Sequence, residues 1–104
     1  MDSFGLAMHQ LAPEIASELN GLLADLRGLG FDACHSQYDA NAFGNFFVDF
    51  IGPGQQFRLI KDRGQFIIDA DRNDLQRAGL WQAFDDREEF FAKLVSWLRN
   101  ARAT

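Results

Sequence analysis

The sequence predicts an α+β fold of order α-β-β-β-β-α, a four-stranded antiparallel sheet with the N- and C-terminal helices packed on one face. Three observations carry this. Apolar residues recur at three- and four-residue spacing near both ends of the chain, as on an amphipathic helix. The middle changes to period two, as on half-buried strands. Gly52-Pro53-Gly54-Gln55 and Asp62-Arg63-Gly64 are turn signals between neighbouring strands, and such short turns allow only antiparallel pairing.

Residues 1–12 have no clear pattern and read as a short helical arm. Pro13 suits a first helical position. From there Ile15, Leu19, Leu22, Leu23, Leu26 and Leu29 trace one helix, with Gly28 and Gly30 as its stop. Residues 31–38, 45–51, 56–61 and 65–70 read as four strands, with a loop over 41–45. Residues 74–83 form a short helix or turn broken at Gly79. Asp85 and Glu88 have capping-box spacing, and Phe90, Phe91, Leu94, Val95 and Leu98 mark the buried stripe of a last helix. The 104 residues make one domain, 1–104.

The two turns also set a register. Ile51 opposite Gln56 and Asp62 opposite Gln65 place Phe46, Val48, Phe50, Phe57, Leu59, Phe66 and Ile68 on one face, under the helices. The other face carries a row of Phe47, Ile60 and Ile67 beside a row of Asp49, Arg58 and Asp69. An apolar patch edged by charge is a candidate interaction surface. It stays open to a partner unless the N-terminal arm or residues 71–84 fold across it; Leu75, Leu80, Trp81 and Phe84 also need somewhere to pack. A second candidate surface is the side of the first helix that holds Glu14, Glu18 and Asp25, whose default reading is a solvated face.

Composition narrows the function classes. Apolar residues make up 47% of the chain, with eleven Phe, enough for one core. No apolar run is long enough to span a bilayer. Asp2 and the lack of Lys or Arg before Arg27 do not fit a signal peptide, so the expected compartment is the cytoplasm, and the single Cys34 fits a reducing one. The net charge is −5, and before residue 58 the only base, Arg27, faces seven acids. That argues against nucleic acid as the direct ligand and permits a basic protein partner.

The search for chemistry finds no site. Cys34 and His35 are adjacent, and neighbours on a regular strand point to opposite faces, so Cys34 reads as a small packed residue. Asp69, Asp71 and Asn73 imitate the start of a calcium loop, but Asp74 stands where Gly is required and Leu80 where Glu is. No cofactor or metal is expected. Asp85, Asp86, Glu88 and Glu89 read as helix capping and dipole acids.

Phe46-Phe47-Val48-Asp49-Phe50, the run from Phe57 to Phe66, and Leu80-Trp81-Gln82-Ala83-Phe84-Asp85-Asp86 resemble small bacterial immunity proteins found beside polymorphic toxins, including those of contact-dependent growth inhibition. The resemblance spans roughly residues 43–98. It implies a non-catalytic cytoplasmic protein that binds and neutralises a cognate toxin domain, often a nuclease with a basic cleft. Two alternatives remain from the residues alone. One is an interaction or adaptor domain, with a homodimer through the open sheet face as one form. The other is a small-ligand-binding domain or enzyme with a cavity between sheet and helices.

Overall fold

The computed structural model describes residues 9–42 and 44–103. Its elements are α1 (Pro13–Glu18), α2 (Leu22–Gly28), β1 (Asp32–Asp39), β2 (Asn45–Gly52), β3 (Gln55–Asp62), β4 (Gln65–Asp69), α3 (Arg72–Ala78) and α4 (Arg87–Ala103). The strands form one antiparallel sheet in the order β1-β2-β3-β4. Both turns set the expected register, with Ile51 opposite Gln56 and Asp62 opposite Gln65.

One face of the sheet makes the core. Phe46, Val48, Phe50, Phe57, Leu59, Phe66 and Ile68 are all buried there. Helix residues close over them. Phe66 stacks on Phe90 of α4 with ring centroids 5.1 Å apart, and Phe57 meets the edge of Trp97 at 6.1 Å. Ile15, Leu19, Leu22 and Leu26 complete the layer from α1 and α2. Among the described residues no polar or charged side chain is buried, so the space between sheet and helices is filled by apolar packing.

Two local features depart from the expected pattern. The N-terminal helix is two helices. The chain breaks at Leu19–Gly21, where Gly21 takes φ +89°, a conformation open to glycine at little steric cost. Asn20-Gly21 is itself a turn dipeptide, and the leucine periodicity continues across the break because both helices face the same core. The second departure is a β-bulge in β1 at Cys34, between Ala33 opposite Phe50 and His35 opposite Asp49. A bulge adds one residue to a strand and shifts its alternation. Cys34 is therefore exposed rather than packed, and its Sγ donates a long 3.5 Å hydrogen bond to the Asp49 carbonyl.

The last segment also differs in detail. Asp86, not Asp85, caps α4: its Oδ1 accepts from the Glu88 and Glu89 amides at 2.9 and 3.3 Å. Asp85 instead accepts from Gln65 Nε2 on the sheet. Asp71 caps α3 by accepting from the Asp74 amide, which accounts for the acids that imitate a calcium loop. Gly79 ends α3 in the left-handed conformation. Phe84 then pairs with Phe66 through two backbone hydrogen bonds of 2.8 and 2.9 Å, covering the β4 edge at that point.

Candidate protein-binding face

The side of the sheet away from the helices is built from alternate residues of all four strands. One row across it is Gln37, Phe47, Ile60 and Ile67; the next is His35, Asp49, Arg58 and Asp69. Phe47, Ile60 and Ile67 are half-buried and take no part in the core cluster. Ile51, one row further, is 50% exposed.

The segment 71–84 does not cover this face. Leu75, Leu80 and Phe84 are buried in the core on the helix side, and Trp81 is exposed. The described end of the arm also lies on the helix side: Leu11 and Ala12 pack against the core, and His9 Nε2 sits 2.7 Å from Ser36 Oγ. The remainder of the arm, residues 1–8, falls outside the described residues.

Arg58 organises the charged row. Its Nε donates to Asp49 Oδ1 at 2.7 Å and its Nη2 to Oδ2 at 3.1 Å, a bidentate fork. The guanidinium carbon lies 3.9 Å from the centre of the Phe47 ring, within cation–π range. His35 Nδ1 is 3.3 Å from Asp49 Oδ2, and the His35 ring lies tilted against Phe47. The Arg58 hydrogen bonds hold the Asp49 carboxyl below the usual carboxylate range, against an opposing push from partial burial and with a further contribution from His35. Asp49 in turn raises Arg58. The arrangement fixes a charged, planar donor group in place before any partner arrives, so little side-chain freedom is left to lose on binding.

The lateral set Asp49, Arg58 and Asp69 expected from the turns is thus present. His35 and Gln37 belong to the same surface and the strand reading missed them. The signal was the odd spacing of Phe31 and Tyr38. Phe31 and Tyr38 both lie on the core side, which a regular strand cannot give to residues seven apart. The helical surface fares differently. Glu14 and Asp25 are exposed on separate helices, and Glu18 is engaged within the fold, 3.0 Å from Lys61 Nζ and 3.8 Å from Arg87 Nη1. The break at Gly21 divides the acidic stripe that a single helix would have presented.

Among the described residues no group of three or more His, Cys, Asp or Glu side chains could hold a metal ion. No helix of the described residues is long and apolar enough to cross a membrane. Comparison of the chain with protein-family models, with curated proteins and with solved structures finds no match.

Proposed function

We propose that this chain is a non-catalytic protein-binding module, and that its partner is a bacterial toxin domain which it neutralises in the cytoplasm. The observation that carries the binding reading is the sheet face that the described residues leave uncovered. There a half-buried apolar row lies directly beside a pre-set Asp49–Arg58 fork. Aromatic and Arg anchors surrounded by polar rims are what protein interfaces are built from. The net charge of −5 favours encounter with a basic partner, such as a nuclease domain. The resemblance of residues 43–98 to immunity proteins supplies the toxin as that partner.

An adaptor domain would use the same face, and the partner decides between the two. The test is to co-express the chain with the toxin domain encoded beside its gene and measure growth and complex formation. The expected result is restored growth and a stoichiometric complex. A neighbouring toxin that kills unhindered and does not co-purify with the chain removes the immunity reading.

A further inference from the structure

The outer face contains a shallow cavity of about 240 Å³ whose floor includes Phe47 and Ile60. At one end lie Asp39 and Asp62, from β1 and β3 respectively. Asn45 of β2 stands between them: it pairs with Asp39 and its Nδ2 donates to Asp62 Oδ1 at 3.2 Å. Two strand spacings, roughly 9–10 Å, therefore separate the two acids across the cavity.

The charges lining this cavity are unequally engaged. Arg58 is forked to Asp49 and stacked on Phe47. Lys61 is paired with Glu18 at 3.0 Å. Both cations are thus matched by acids outside the cavity. The acids are not matched in the same way. Asp39 accepts from the Asn41 backbone amide, a neutral donor. Asp62 accepts from the neutral Asn45 amide, and its ion pair with Arg63 spans 3.9 Å to a side chain that is 85% exposed. Such a pair is weak and replaceable. An apolar floor with under-compensated carboxylates at one end matches a long aliphatic stem with a cationic tip.

The geometry points to this cavity as the seat of one basic side chain, a lysine or arginine, projecting from a protein partner. The inference rests on the outer face being the partner surface and names the chemistry of its anchor. Where two outer faces meet, Arg58 supplies no such anchor, because it is already engaged with Asp49 and Phe47.

The test uses the full chain, labelled with ¹⁵N, and small probes. n-Butylammonium and n-butylguanidinium chloride are titrated while amide shifts are followed, with n-butanol as the uncharged control. The expected result is saturable binding, roughly in the millimolar range, with shifts clustered at Asp39, Asn45, Phe47, Ile60 and Asp62. Asp39→Asn with Asp62→Asn keeps both acceptors and should weaken it about tenfold. If the double variant loses its dispersed spectrum, Asp39→Asn alone carries the test, since the Asp39 side chain bonds a backbone amide of its own loop and Asn keeps that acceptor. Equal shifts from butanol, shifts spread over acids elsewhere, or undiminished binding by the folded variant would overturn the proposal. Shifts at these amides on simple dilution would also overturn it, by showing that a second copy fills the cavity. A toxin domain bound equally well by wild type and the Asp39→Asn/Asp62→Asn chain, yet weakened by Asp49→Lys, would remove this anchor and leave the partner reading intact.

Discussion

Arg58 is held on two sides, by the Phe47 ring beneath it and by both oxygens of Asp49 beside it. The Asp49 carboxyl is depressed below its ordinary value chiefly by those Arg58 bonds. A carboxyl lowered on folding contributes stability above its unfolded pKa, about 3.9, and loses it as the pH falls through the folded value. Asp49→Asn should therefore flatten the acid side of the stability profile. Urea midpoints measured from neutral pH down to about pH 2 should converge between variant and wild type at the acid end, below the unfolded carboxyl value. A constant gap at every pH would mean that Asp49 acts by shape and not by charge. Gly52 shows a different constraint at the same scale. A Cβ there would lie 2.5 Å from the Phe31 ring, and Phe31 is buried. Gly52→Ala should cost about 1–3 kcal/mol by overpacking, read as a lowered urea midpoint. An unchanged midpoint would show that the ring can move aside.

At the scale of elements, the strands were legible in the sequence because turn chemistry fixed them. Pro53-Gly54 and Arg63-Gly64 each take the chain back at one place, with Gly54, Arg63 and Gly64 at positive φ. Once the reversal point is known, period two assigns every side chain on β2, β3 and β4 to a face. The bulge at Cys34 and the break at Gly21 were harder to read. The bulge has no Gly or Pro to mark it, and only the seven-residue spacing of Phe31 and Tyr38 betrays it. The break was masked by leucines that face one core from two helices. Both errors have consequences for the candidate site. The bulge brings His35 and Gln37 onto the outer face, while the break and the Glu18–Lys61 pair dissolve the acidic helical stripe.

Across the whole molecule, the two faces of the sheet differ in character. The inner face and four helices form a core without a buried polar side chain among the described residues, and that core supplies stability. The outer face contributes little to it. Phe47, Ile60 and Ile67 lie outside the core cluster, and Arg58 and His35 of the same face pack against Phe47. A rigid scaffold that exposes one ordered surface suits a module that must meet its partner without rearranging. The sequence patterning made this division legible, whereas the cavity between Asp39 and Asp62 depends on three strands meeting at one level and is visible only in the fold.

The most direct measurement is calorimetric titration of the proposed partner, a toxin domain encoded beside this gene, with wild type, Asp49→Lys and Glu14→Lys chains, each confirmed as folded. Asp49 lies in the fork on the outer sheet face and Glu14 is exposed on α1, and both substitutions change the net charge equally. If the sheet face seats the partner, Asp49→Lys should lose at least about 2 kcal/mol of affinity, roughly 30-fold, while Glu14→Lys stays within about threefold of wild type. Equal losses would show that charge alone governs binding, and an undiminished Asp49→Lys would contradict the outer face as the binding surface.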